Sequence, residues 1–351
     1  MAGLLGLLIA ARPASAQVRE LHLETRLVFY GDNAEFSNPF RTGATVLGTY
    51  GVVFLEADVS ERLAVRAGGF GNWRFGSSAG IDQGRPVLAL VIRGDRAQVV
   101  LGTLDTTRHV TGQGPDRTGP HGLLPPMQRE TLAFERAHES GLQWIVDAPR
   151  YTQDAWINWQ RLNTASHREI FDVGIATRTR LRPDLALRAD LHVVHQGGQN
   201  GGAPAPVADS VAAAVGIEAG GPVGRLDRMS VEIAGVGSRN VVDRQRPDAT
   251  KRGLGTLLRL GFEDAGWRAH VLMWRADDYV KVEGDPLYQS VRRDGTTYRG
   301  LRDYAEAGLS RRFDLAPEAF VETSLRFHRA EHHYGYSFRV VGVANLRWKL
   351  R

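Results

Sequence analysis

The feature that most constrains this chain is an alternation of period two that recurs from residue 18 to residue 350. In 185–196, Leu185, Leu187, Ala189, Leu191 and Val193 form one row, and Arg188, Asp190, His192 and Gln196 the other. In 319–330, Val321, Thr323, Leu325 and Phe327 alternate with Glu322, Ser324, Arg326 and His328. In 209–221, Val211, Ala213, Val215 and Ile217 alternate with Ala212, Ala214, Gly216 and Glu218. Near the start, Leu21, Leu23, Leu27 and Phe29 stand against Glu20, His22, Glu24 and Arg26. Successive side chains on a strand point to opposite faces, so each segment reads as a strand with one apolar and one polar face. Helical periodicity is nearly absent, and an α/β enzyme fits poorly.

The breaks between strands are of two kinds, in alternation. Tight turns carry Gly, Pro or Asp, as in Gly94-Asp95-Arg96, Arg182-Pro183-Asp184, Asp264-Ala265-Gly266 and Asp314-Leu315-Ala316-Pro317. Longer polar connections lie between them, at 31–43, 77–84, 105–138, 164–169, 197–209, 243–252 and 283–297. Strands laid between these breaks number about sixteen, with 14 or 18 as neighbouring counts. They run 18–30, 44–57, 62–75, 85–94, 96–105, 140–148, 152–162, 170–181, 185–196, 209–221, 228–241, 253–264, 267–279, 299–313, 319–330 and 337–350.

Alternation alone fits two folds, a soluble sandwich with its apolar rows inside or a membrane barrel with them outside. Three observations favour the barrel. Short turns at one end and long loops at the other are its layout, and the even count suits antiparallel closure. Residues 3–11 form an apolar stretch, and Ala14-Ser15-Ala16 before Gln17 fits a signal cleavage site, so 1–16 is expected to be a signal peptide. Mean hydropathy is −0.27, and after the first dozen positions no run approaches the roughly 20 apolar residues of a spanning helix. The fold class is therefore all-β, a transmembrane antiparallel up-and-down β-barrel occupying 17–351, located in a bacterial outer membrane.

Composition excludes other classes. With no cysteine, disulfide scaffolds, zinc-thiolate sites and thiol catalysis are out. The formal charge is +5, from 44 basic and 39 acidic residues. Without a basic run interleaved with aromatics, nucleic acid is not an expected partner.

The last segment, Val340-x-Gly342-x-Ala344-x-Leu346-x-Trp348-x-Leu350, is one apolar row with an aromatic near its end. In this it resembles bacterial outer-membrane barrels, although Arg351 follows where those end on the aromatic itself. The resemblance covers 17–351 and is architectural. It implies outer-membrane lipid and lipopolysaccharide as surroundings, the barrel-assembly machinery as a partner, and a homotrimer as in general porins. In sixteen-stranded general porins the third external loop folds inward, and 105–138 occupies that position. It carries Leu123-Leu124-Pro125-Pro126-Met127 among charged residues. Its constriction candidates are Arg108, Asp116, Arg117, Arg129, Glu130 and Glu135; a mobile external flap is the other reading.

Charges cannot face lipid near the midplane cheaply, so the polar rows are expected to be lumenal. The selectivity candidates are Arg26, Arg66, Arg188, Asp190, Arg259, Glu263, Arg302, Glu306, Glu322 and Arg326. Opposed charges in an open lumen would select small polar or ionic solutes, whereas charges paired across it would plug it. Inward Gly68, Ala212, Ala214, Gly216 and Gly308 make room for either solute or loop.

Histidines raise the question of chemistry. His192 and His195 at a strand's outer end faintly resemble the outer-membrane phospholipases, but Gly197 and Gly198 stand where a nucleophilic serine is needed. His328, His332 and His333 with Glu331 make a weak metal motif, because neighbours on a strand face opposite ways. An aromatic girdle with Tyr334, Tyr336 and Phe338 suits that segment better. Trp144, Trp156 and Trp274 lie deeper in their strands than a girdle requires. The expectation is a porin-like channel for small polar or ionic solutes that is not an enzyme and needs neither metal nor cofactor. A closed structural or assembly barrel, anchoring or exporting a surface polymer, is the first alternative, and an outer-membrane hydrolase using His192 the second.

Overall fold

A computed structural model describes residues 18–106, 119–198 and 205–351. The expected signal peptide, together with Arg108, Asp116 and Arg117 of the long loop, lies outside them. The described residues form sixteen strands: β1 (Glu20–Ser37), β2 (Thr42–Asp58), β3 (Leu63–Arg74), β4 (Gln83–Arg93), β5 (Ala97–Thr103), β6 (Ser140–Ala148), β7 (Tyr151–Arg161) and β8 (Glu169–Arg182), then β9 (Leu185–Gly197), β10 (Ala208–Val223), β11 (Leu226–Val241), β12 (Lys251–Asp264), β13 (Trp267–Asp277), β14 (Arg302–Ala316), β15 (Ala319–Ala330) and β16 (His333–Lys349). Each pairs with its chain neighbours, and β1 pairs with β16 from His22↔Lys349 to Phe36↔Gly335, closing the barrel. Closure leaves no strand edge unpaired, which is the condition for a sheet to cross a bilayer.

Alternation decides which side chains meet lipid. Leu27, Phe29, Val215 and Ile217 are exposed on the outer face, while Val28, Tyr30, Ala212 and Ala214 on the opposite row are buried. Trp144 is half exposed on the outer face, whereas Trp156 and Trp274 turn inward and are buried.

Two expected connections differ. The segment 31–43 is mostly strand, because its alternation continues through inward Asp32 and Ala34, and only 38–41 are left to turn between β1 and β2. The β15–β16 connection is equally tight, with Glu331 in the left-handed region at φ 55. These strands are longer than the roughly 10 residues a bilayer crossing needs, so they carry the wall beyond the membrane.

The lumen is filled by two inserted segments. Residues 119–138, including the one-turn helix α1 (Leu132–Glu135), bury Leu123, Leu124, Met127 and Phe134, the last stacked on Tyr30 at 4.9 Å. Residues 278–301 also enter, where an external loop over 283–297 was expected. Tyr279 and Tyr288 pack edge-on against Trp274, and the Trp274 Nε1 donates to the Tyr288 carbonyl at 2.9 Å. The two segments also grip each other. Tyr279 Oη donates to the Pro126 carbonyl at 3.0 Å, and Arg129 N donates to the Glu283 carbonyl at 2.7 Å. With the alanines of β10, β11 and β13 they make an apolar core inside the barrel. Each large side chain sequestered there contributes about 1.5–3 kcal/mol.

Candidate functional site

At the outer end of β14–β16, alternation turns Tyr304, Glu306, His328 and Ser337 inward on three adjacent strands. Register does the rest: Glu306 stands opposite His328, and Ser337 lies opposite Arg326, one inward position from His328. Ser337 Oγ is 2.8 Å from His328 Nε2. On the other side of the ring, Nδ1 is 2.8 Å from Tyr304 Oη and 3.4 Å from Glu306 Oε2. Tyr304 Oη donates its one proton to Glu306 Oε2 at 2.7 Å, and His270 Nε2 meets Glu306 Oε1 at 2.7 Å.

These contacts orient the protons. The Tyr304 hydroxyl, having donated to the carboxylate, can only accept from His328 Nδ1. The imidazole proton therefore sits on Nδ1, and Nε2 presents a lone pair to the Ser337 hydroxyl. This is a hydroxyl on a base, with the base in turn held by an acceptor chain, the arrangement that activates a serine nucleophile.

Packing fixes the ring positions. Phe36 meets His328 edge-on at 4.9 Å, and there is room for it because residue 335 is glycine: a Cβ there would lie 2.6 Å from Phe36. A Cβ at Gly308 would lie 2.2 Å from the His270 ring. Beside Ser337 is a cavity of about 30 Å³, bordered by Glu130, Arg326, Arg339 and Arg41, enough for water. Glu130, from the inserted segment, bridges Arg326 and Arg339, each at 2.9 Å. Burial works to raise its pKa, but the two guanidiniums win and hold it at about 2.

All ten lumenal candidates lie on the inward row, and the structure gives them partners. Arg188 contacts Asp190 and donates to the Gly122 carbonyl at 2.7 Å. Arg26 donates to Asn345 and Arg66 to Glu56. Arg259 lies 4.0 Å from Glu232, and Glu263 lies 3.9 Å from Arg228. Arg302 donates to the Leu287 carbonyl and covers the Phe40 ring at 3.6 Å, and Glu322 pairs with Arg268. Three of the ten, Arg259, Glu306 and Arg326, border the Ser337 cavity. Of the loop candidates, Arg129 pairs with Glu135 at 2.8 Å and Glu130 reaches the site. His192 is fully buried in the lumen, while His195 faces outward and bonds Asp209 at 2.7 Å. Sequence reasoning named His328 for another role and passed over Ser337 and Tyr304; the inward parity of 328 and 337 was the available signal.

The fold defines the class: an outer-membrane β-barrel of Gram-negative type. Within that class the chain belongs to the Lipid A 3'-O-deacylase-type family, which matches residues 13–350. That membership corrects the expectation that the chain is not an enzyme, since the family is named for an enzyme. Solved structures share the fold. A loop-deletion mutant of OmpT, an outer membrane protein of Vibrio cholerae, aligns over 93% of this chain and 99% of its own with TM-score 0.56 and 10% identity. OprD from Pseudomonas aeruginosa covers 96% of each chain at TM-score 0.52 and 11% identity. OccK8 from the same organism covers 94% of this chain and 99% of its own at TM-score 0.53 and 11% identity. A comparison with curated proteins gives no match.

Proposed function

We propose that this barrel is an acyl-ester hydrolase of the outer membrane, acting as the deacylase its family is named for, with Ser337 as nucleophile. The observation that carries the reading is the 2.8 Å contact between Ser337 Oγ and the lone-pair nitrogen of His328. As Ser337 attacks an ester carbonyl, His328 takes its proton, and Tyr304 with Glu306 steadies the imidazolium. His328 then returns the proton to the departing alkoxide, leaving an acyl group on Ser337 that water removes by the same route. Arg326 and Arg339 converge on Glu130 beside the serine. A substrate oxygen that takes the place of Glu130 would receive those two guanidiniums as the charge develops. Phosphorylated lipid of the outer leaflet suits so cationic a rim.

The test uses refolded barrel in detergent with an acylated phospholipid and lipid A, reading free fatty acid by mass spectrometry. Release that disappears in Ser337→Ala, with a fluorophosphonate probe labelling Ser337, is the expected result. Unchanged release in Ser337→Ala without labelling refutes it.

A passive channel for small polar solutes is the second reading, favoured by the girth of sixteen strands and the charged inner wall. Homotrimer formation, contact with lipopolysaccharide and insertion by the assembly machinery are part of the proposal in either case. The closed structural barrel predicts neither hydrolysis nor conductance.

A further inference from the structure

A second cluster in the lumen lies apart from Ser337. Asp172 on β8, His192 on β9 and Glu283 on the inserted 278–301 segment bring Oδ2, Nε2 and Oε2 within 4.8 Å of one another. His192 Nε2 is 3.4 Å from Asp172 Oδ2 and 3.8 Å from Glu283 Oε2. These are poor hydrogen-bond lengths. They are close to the separation of about 3.4 Å expected between two ligands of one tetrahedral ion with bonds near 2.1 Å.

The remaining polar atoms of the two carboxylates are turned away and held. Asp172 Oδ1 accepts from Asn158 at 2.8 Å and from Gln160 at 2.7 Å. Glu283 Oε1 accepts from Gln160 at 2.9 Å and from Arg136 at 2.5 Å. Trp156 Nε1 adds a bond to Asp172 Oδ2 at 2.7 Å, and Arg136 Nη2 reaches Glu283 Oε2 at 3.1 Å. Outer donors thus hold each carboxylate with one oxygen toward the imidazole, the way metal ligands are oriented by their surroundings. His192 is fully enclosed; its Nδ1 has no hydrogen-bond partner among the described residues, and Nε2 is the atom aimed into the cluster.

We infer that Asp172, His192 and Glu283 form a binding site for one divalent transition-metal ion of the zinc class, which clamps the inserted segment to the barrel wall. An imidazole with two carboxylates suits zinc better than calcium or magnesium, which take oxygen ligands alone. Arg136 and Lys281 are the cations facing the two carboxylates, with Arg136 at 2.5 Å from Glu283 Oε1 and 3.9 Å from Asp172 Oδ1.

The experiment refolds the full mature chain with or without zinc, removes unbound metal, and measures metal content and thermal unfolding. About one zinc per chain is expected, with an unfolding midpoint raised by several degrees and no effect of calcium. His192→Gln and Glu283→Gln, checked for heat-modifiable migration, should each lose the metal. Cobalt substitution of the unmutated chain should give the strong visible bands of a tetrahedral site, a readout independent of any variant. A folded barrel that keeps no zinc and shows no such bands overturns the site. So does zinc retained equally by both folded variants.

Discussion

His121 lies face to face on Trp156, with ring centroids 3.7 Å apart and planes within 6°. The same imidazole bridges Asp154 on the wall at 3.0 Å and Glu139 at 2.9 Å, so one side chain ties the inserted 119–138 segment to the barrel. Replacing it strands two buried carboxylates. His121→Gln should lower stability by about 3 kcal/mol, measured as an earlier loss of the heat-modifiable gel form in a temperature series.

The pH dependence follows from the two ends of the plug. Burial opposes a charge on His121, but Asp154 and Glu139 outweigh it and raise its pKa from 6.5 to about 10. Its contribution is complete below pH 6.5 and drains away as pH climbs through 10. Glu130 runs the other way: its contribution is complete above pH 4.5 and lost as pH falls toward 2. Unfolding midpoints should therefore be flat from about pH 5 to 6.5, with the alkaline decline missing in His121→Gln and the acid decline shallower in Glu130→Gln.

The inward tryptophans depend on glycines across the strand pair. A Cβ at Gly255 would lie 2.2 Å from the Trp274 ring, and one at Gly174 would lie 2.0 Å from Trp156. Either alanine substitution overfills the lumen and should cost about 1–3 kcal/mol. The tryptophan emission should move to longer wavelength as the ring is displaced.

Planar-bilayer recording separates the plug from a pore. Among the described residues, cavities of about 30, 60 and 170 Å³ lie beside the inserted segments, sizes for water and small clusters. Steady conductance should be absent in the unmutated protein. Arg136→Glu, which sets a carboxylate against Glu283 and Glu139, should loosen the plug and give intermittent steps. Regular, ohmic steps from the unmutated barrel would favour the channel.

Much of the wall was legible because the inward and outward rows differ in chemistry along each strand, as in β9 and β15. The plug was harder. Residues 278–301 contain Gly284, Asp285, Arg292, Arg293, Asp294 and Gly295, the composition of a solvated loop, yet Tyr279, Leu287 and Tyr288 of the same segment enter the lumen. The alanines that receive them look like empty space along a single strand; their role appears only when a distant segment is laid across them. Ser337 and His328 are separated by a turn, so their contact depends on the β15–β16 register, which is set by a β16 that starts at His333 rather than at 337. Trp156 and Trp274 lacked an explanation in sequence for the same reason, since their partners Asp172 and Tyr288 come from other elements.

The seam between β1 and β16 leaves the first and last described strands side by side, with Leu21 N bonded to the Arg351 carbonyl at 3.1 Å and Leu350 N to the Leu21 carbonyl at 2.8 Å. Every strand then has the same kind of neighbour, and nothing in the wall distinguishes the seam from any other pairing. A circular permutant, joined there by a short turn and opened at Ala265-Gly266, keeps every lateral partner it had.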